Sequence, residues 1–352
     1  MTIETVWQDA KTKRAITRSS VPSDETLNLL RSTVWGSRSM KYRIPNIENK
    51  LNRLRDPSFF VLSEKGRELC VFALDKCRKR LSGKTCDAFH FCLASTVTDR
   101  QNEGLAGILI EHVRRYCIST VGEPGLGFAY VEATTEFSLH LSDQIGHSAE
   151  ADIPLTLFTR LFPKHRPNAA VVNPSQTDIV LQELERMYAG HELTDFSTSL
   201  RPEEFYVLRE NGTIVAGAQV ELLQWSMISM PGALGAFLVG ILPLLPGSKR
   251  FLDLKDLRIV RLSNLFCSDG KELHLCELLE ECLYQHKAKV GLILLDRRSP
   301  LLDCILKTGK MGFLSRAVTG SAKMRIDTLG MDDNMMSDLR ERPLLVSAAD
   351  VF

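Results

Sequence analysis

The chain has 352 residues, 44 Lys+Arg against 43 Asp+Glu, a formal net charge of +1 and a hydrophobic fraction of 44%. That length suits two cores of ordinary size, about 100–200 residues each. The even charge balance excludes a surface built for polyanions or acidic membranes, so no nucleic-acid or membrane partner is expected. The nine cysteines are odd in number, contain no C-x-x-C pair and sit mostly in apolar runs, as buried thiols of a reducing compartment do. The start, MTIETVWQDAKTKR, has no apolar h-region, so a cytoplasmic location is expected. No His/Cys/Asp/Glu set has metal-ligand spacing, and no metal is expected.

Along the chain, a β-type run RAITRSS (14–20) meets Pro22 and a capped helix pattern, SDETLNLLRSTV. IENKLNRLR reads as a second helix. PSFFVLSEKG (57–66), an apolar run ending in a polar-Gly turn, reads with LCVFAL as a β-hairpin. KCRKR at 76–80 reads as a solvated hairpin end, with contact to an acidic substrate as the alternative. Strand AFHFCLAST, helix GLAGILIEHVRRYC, strand LGFAYVEAT and helix EFSLHLSDQIG complete a mixed α/β unit.

From Asn168 the same order begins again, with NAAVVN, Pro174 and SQTDIVLQELERMY. EEFYVLRENG (203–212) then repeats PSFFVLSEKG at an offset of 146. DRQNEGLAGILIEHV (99–113) answers LFCSDGKELHLCELL (265–279) at an offset of 166, and QIGH ending at His147 answers KMGF ending at Phe313 at the same offset. The twenty extra residues place an insertion in the second unit at about 226–248, SMISMPGALGAFLVGILPLLPGS, which carries no charge. Its length would span a bilayer. Pro231, Pro243 and Pro246, with Gly232, Gly235 and Gly240, favour instead a buried or interdomain helix. Three matches in one order imply internal duplication, with units 1–162 and 163–330 followed by a tail, 331–352, expected to dock loosely or fray.

Chemistry concentrates where AFHFCLASTV runs through TDRQNEGLAG into a helix. Gln101-x-x-Gly104-x-Ala106 opens that helix, with Gly107 next. Two positions without Cβ and one with a methyl allow a ligand close to the backbone, and the unpaired first-turn N–H groups and the helix dipole favour negative charge there. Such a terminus suits a diphosphate.

Strand, [Gln/Arg]-x-x-Gly-x-[Gly/Ala], helix resembles the acyl-coenzyme A pyrophosphate loop of the GNAT superfamily of N-acetyltransferases. The helix, hairpin and strand before the loop, the strand and helix after it, and the closing pair Gly146-His147 are similar to that superfamily. The tandem arrangement also resembles the plant hookless-type members. The resemblance implies a fold of two tandem GNAT-like α/β domains with mixed sheets, the second degenerate. It implies acetyl-CoA or another acyl-CoA as co-substrate and an amine-bearing acceptor, small molecule or protein. Backbone near Ser95, Thr96 and Val97 would pair with the pantetheine arm, and Gln101, Asn102, Glu103, Gly104, Leu105, Ala106 and Gly107 would hold the pyrophosphate.

The last-helix pattern of the superfamily departs here, with Thr135, a cofactor-binding candidate, at its Asn and Ser142 at the Tyr that serves as general acid. A serine hydroxyl is a poorer acid than a phenol, so departure unassisted or through water is the alternative. Glu132, on the strand after the loop, is the candidate base, or an exposed strand-end glutamate; His90 fits a core residue, and His140 and His147 are spare candidates. The second unit has Glu272 where the first has Ala106, and Thr308 at the Tyr position. A carboxylate there repels phosphate, so that unit is expected to serve as scaffold, substrate wall or partner surface. Two rival readings are a non-catalytic acyl-CoA- or partner-binding module and a membrane-attached enzyme using 226–248.

Overall fold

The computed structural model describes residues 3–36, 40–145, 148–230, 232–244, 253–312, 315 and 320–350. The expected hairpins are present: β5 (Pro57–Glu64) pairs with β6 (Arg67–Leu81), and β11 (Phe205–Glu210) with β12 (Thr213–Ser229). Both repeated phrases end in a two-residue turn with left-handed backbone, Lys65-Gly66 (φ 53° and 85°) and Asn211-Gly212 (φ 50° and 82°). This conformation matches the right-handed strand twist, and glycine adopts it without steric cost. The duplicated phrase is thus a duplicated hairpin.

In the leading half, β1 (Glu4–Asp9) pairs with β2 (Arg14–Ser19), which pairs with β5, and β7 (Lys84–Thr96) and β8 (Gly125–Glu132) follow β6. Helices α1 (Asp24–Ser32), α2 (Ile47–Leu51), α3 (Leu105–Thr120) and α4 (Glu136–Ile145) fall where the periodicity put them. Strand alternation gives β5 two apolar faces. Phe60 and Leu62 join the α3 core with Leu105 and Leu109, whereas Phe59 and Val61 join a core with Leu30 of α1 and Ile47 of α2. The polar start, read only for what it lacked, supplies β1. A short pair, β3 (Trp35–Gly36) and β4 (Lys41–Arg43), crosses to β12 of the trailing half.

The trailing half repeats the order with β10 (Ala169–Val171), α5 (Thr177–Met187), the β11–β12 hairpin, β13 (Leu257–Cys267), α8 (Glu272–Gln285) and β14 (Val290–Leu294). Between α5 and β11 lies the one-turn α6 (Phe196–Ser199). The two halves exchange one strand each. β9 (Ala149–Thr159) pairs with β14, and β15 (Ser321–Leu329) pairs with both β8 and β9. The path β1-β2-β5-β6-β7-β8-β15-β9-β14-β13-β12-β11-β10 is therefore one continuous sheet. Each half inserts its last strand between two strands of the other.

Three expectations are revised here. Residues 343–350 do not fray, because Leu344, Leu345, Ser347 and Asp350 are all at most 1% exposed. KCRKR is not wholly solvated either. Lys79 is 1% exposed, with Nζ 3.0 Å from Asp195 and 3.1 Å from Asp350. Arg55 bridges Asp75 (2.7 Å) and Asp195 (3.0 Å), the Tyr130 hydroxyl donates to Asp350 (2.7 Å), and Arg261 donates to the carbonyls of Ala348 and Asp350. Sequence separations of up to 271 residues hide such a network from local reading. The insertion, where described, is only in part a buried helix: residues 226–229 extend β12, α7 (Gly232–Ala236) runs on into π-type and 3-10 turns over 237–244, Leu238 and Val239 pack on the core, and Phe237 (41%), Ile241 (52%) and Leu244 (79%) are exposed. Among the described residues, no helix is long and apolar enough to cross a membrane.

Candidate acyl-thioester site

The site begins with one extra residue. Ala73 pairs with Leu93 but Leu74 with Phe91, so Cys92 is a β-bulge in β7. At the same level β7 leaves its parallel neighbour. Its pairing to β8 stops at Phe91 and Ala129, after which β7 stays with β6 and β8 stays with β15. The sheet opens into a wedge between 92–97 and 130–133. The Val97 N–H donates to the Leu69 carbonyl (2.9 Å). Since antiparallel partners alternate, Ser95 turns its backbone groups the same way, toward β6, while Ala94 and Thr96 turn theirs into the wedge. Of Ser95, Thr96 and Val97, it is Thr96 whose backbone faces the opening. The Ser95 hydroxyl is tied to that of Thr33 at 2.6 Å.

Beneath the wedge, Gln101, Asn102, Glu103 and Gly104 are exposed and lead into α3. Gly104 is the helix N-cap with φ 74°, a left-handed conformation that a side chain adopts at a cost of about 1–2 kcal/mol. No side chain caps it, and the N–H groups of Asn102 through Gly107 find no acceptor among the described residues. The local side chains are occupied elsewhere. Glu103 holds Arg100 (2.6 Å), Arg100 reaches Glu64 (2.9 Å), and Gln101 donates to the Thr96 carbonyl at 3.4 Å. Leu105 and Ala106 point into the core and fasten the helix, leaving its first turn bare. Unsatisfied amides with an unscreened dipole can receive an anion there.

On the opposite wall, the Glu132 carboxylate accepts from the Thr134 (3.1 Å) and Thr135 (3.2 Å) hydroxyls. Ser142 on α4 is 4% exposed, and its hydroxyl donates to the Leu139 carbonyl at 2.7 Å. His140 is exposed, and Gly146 and His147 lie outside the described residues. His90 is buried in the Asp350 region, stacked on Phe128 at 4.9 Å, with neither ring nitrogen hydrogen-bonded among the described residues. Burial holds it down to about 3, hence neutral. Among the described residues no group of His, Cys, Asp and Glu could hold a metal ion.

The trailing half repeats the wedge but not the bare turn. β13 and β14 part after Leu262 and Ile293, and Gly270 adopts φ 72°. There Lys271 pairs with Glu210 (2.6 Å), its N–H donates to the Ser268 carbonyl (3.0 Å), and Glu272 adds a carboxylate to the first turn. A cavity of about 560 Å³ lies between α2 and strands β12 to β14, lined by Lys50, Arg53, Glu221 and Trp225 among others. No local pattern marks it, because its walls come from both halves.

The wedge, the bulge and the helix behind it define a GNAT-like α/β fold on a large mixed sheet. Saccharomyces cerevisiae N-myristoyltransferase with bound myristoyl-CoA is similar across nearly the whole length: in two structures, 12% and 13% identity, TM-scores of 0.59 and 0.61, 96% of this chain and 89% and 85% of that one. A GCN5-related glucosamine N-acetyltransferase region of a fungal multi-domain GH3 β-N-acetylglucosaminidase is similar with TM-score 0.52 and 12% identity, covering 81% of this chain and 35% of that one. No protein-family model and no curated protein sequence matches the chain.

Proposed function

We propose that the chain is an acyl-CoA-dependent N-acyltransferase, using acetyl-CoA as donor and an amine as acceptor, with its site in the leading half. The observation carrying this reading is the bare first turn of α3 beside an open wedge, a pair of features that otherwise leaves backbone groups unsatisfied. The solved structures of like fold include acyltransferases. In this reading Gln101 to Gly107 receive the pyrophosphate, and the backbone at 95–97, chiefly Thr96, meets the pantetheine arm. The amine nitrogen attacks the thioester carbonyl carbon. The C–N bond forms, the C–S bond breaks, and the ammonium proton passes to Glu132 directly or through water. With the Ser142 hydroxyl committed to Leu139, the leaving thiolate takes its proton from water. The halves 1–162 and 163–330 are a tandem duplication with a degenerate second copy, as in hookless-type members, and the protein works in the cytoplasm.

The test is a matched pair of substitutions. Gly104 and Gly270 both have positive φ and open space around a would-be Cβ, so Gly104→Glu and Gly270→Glu carry the same strain. Calorimetric titration with acetyl-CoA should show binding by the wild type and Gly270→Glu, and a loss of tenfold or more, roughly, in Gly104→Glu, where a carboxylate meets the phosphates. Equal binding by both variants, or none by the wild type, would remove the site. The commitment of Ser142 also suits a non-catalytic acyl-CoA-binding module. Binding without transfer across an amine panel would select that reading.

A further inference from the structure

The cavity between α2 and β12–β14 contains a cation with no ion-pair partner of its own among the described residues. Arg53 is spent on Glu204 (2.6 Å) and Glu221 (3.0 Å), and Arg261 on Glu221 (2.8 Å). Lys50 lines the same cavity, is only 8% exposed, and has no hydrogen-bond or ion-pair partner among the described residues. Withdrawing an ammonium from water without a counter-ion is costly, and proteins seldom do so without a partner. The charged and titratable groups facing it are Cys92 on β7, Glu221 on β12 and Arg261 on β13, and Glu221 is already shared by two guanidiniums. Burial, the largest influence, holds Lys50 down to about 8 from its usual 10.5.

Position adds the second half of the argument. Cys92, an electrostatic neighbour of Lys50, is the bulge at which the wedge opens, and this neighbourhood is what relates the cavity to the proposed acyl site. A volume of about 560 Å³ admits a small metabolite. Exposed Asn49 and Asn52 line the cavity and add amide donors.

We propose that this cavity is the acceptor pocket and that Lys50 seats a carboxylate carried by the amine substrate, making the acceptor class a small amino-carboxylate. The uncompensated charge is a single one, which a carboxylate matches and a phosphate dianion overshoots. The word acceptor rests on the acyltransferase reading above; the anion seat does not.

The probe is N-acetylglycine, which carries the carboxylate and amide of a product but no thioester. Calorimetry at pH 8 in two buffers of different ionisation enthalpy should show it binding with uptake of about half a proton, as an ammonium near half-titration is filled by its counter-ion. Lys50→Met, similar in length and without charge, should weaken this binding roughly tenfold or more while leaving acetyl-CoA affinity unchanged. Trace labelling with acetic anhydride across pH 6–11, read by mass spectrometry, should give Lys50 a half-labelling pH near 8, raised and protected by N-acetylglycine. Equal binding by wild type and a folded Lys50→Met, or no binding by the wild type, would overturn the proposal. So would a Lys50 that labels like the surface lysines and gains no protection. If Lys50→Met fails to fold, the wild-type labelling decides alone. A protein that binds acetyl-CoA but not N-acetylglycine loses this inference only. One that binds N-acetylglycine through Lys50 but not acetyl-CoA keeps the seat and loses the acyltransferase reading.

Discussion

Glu132 and Ser142 stand within a few turns of one another, yet their surroundings give them different prospects. The Glu132 carboxylate is positioned by two threonine hydroxyls at the lip of the wedge, whereas the Ser142 hydroxyl is turned into its own helix. Glu132→Gln should lower kcat by about 10²-fold or more while leaving the acetyl-CoA Kd unchanged, as loss of a general base does. Ser142→Ala should stay within about twofold of wild type. Steady-state turnover with any accepted amine checks both, and a wild-type rate in Glu132→Gln would remove it from the mechanism. The bare turn at Gln101 to Gly107, proposed here to bind phosphate, was legible in the sequence through its small residues at fixed spacing. Lys50 was not, because what distinguishes it is the absence of a partner, and α2 reads as an ordinary amphipathic turn.

Among the elements, β7 and the tail carry the informative departures from sequence reading. A bulge leaves no signature in AFHFCLAST, since Cys92 is as apolar as its neighbours. The tail's finish, PLLVSAAD, was apolar enough to dock, and what fixed it was a set of charges on β6, β13 and the loop at Asp195. This region should also dominate the acid limb of stability. His90 is held down to about 3 and His191 to about 4, both chiefly by burial. The unfolded chain therefore takes up protons near pH 6.5 that the folded chain refuses. The stability these neutral imidazoles contribute is fully present above that pH and lost as pH falls toward 3–4, at up to ~1.4 kcal/mol per pH unit for each histidine. His90→Phe, which keeps a ring against Phe128, should remove about one proton's worth of that slope in urea unfolding between pH 6 and pH 4. An unchanged slope would mean that His90 is not buried neutral.

At the scale of the molecule, the two hairpins were readable in the matching phrases and the strand exchange was not. Matching phrases suggest two similar units, but no local pattern tells that β9 pairs with β14 and that β15 lies between β8 and β9. The consequence concerns cooperativity. Fragments 1–162 and 163–352 made separately should each lack a strand between two partners, expose unpaired edges and fail to give a cooperative thermal transition. Co-expressed, they should associate, and the intact chain should melt in one transition. Two independent transitions in the intact chain, or a separately folded 1–162, would contradict a shared sheet.

The central claim, that the amides opening α3 hold the diphosphate of an acyl-thioester, is tested most directly by amide hydrogen exchange with and without acetyl-CoA. The account predicts slowed exchange over 92–108 and 130–135, with no change over 266–275. Protection confined to 266–275, or no protection anywhere at saturating acetyl-CoA, would contradict it.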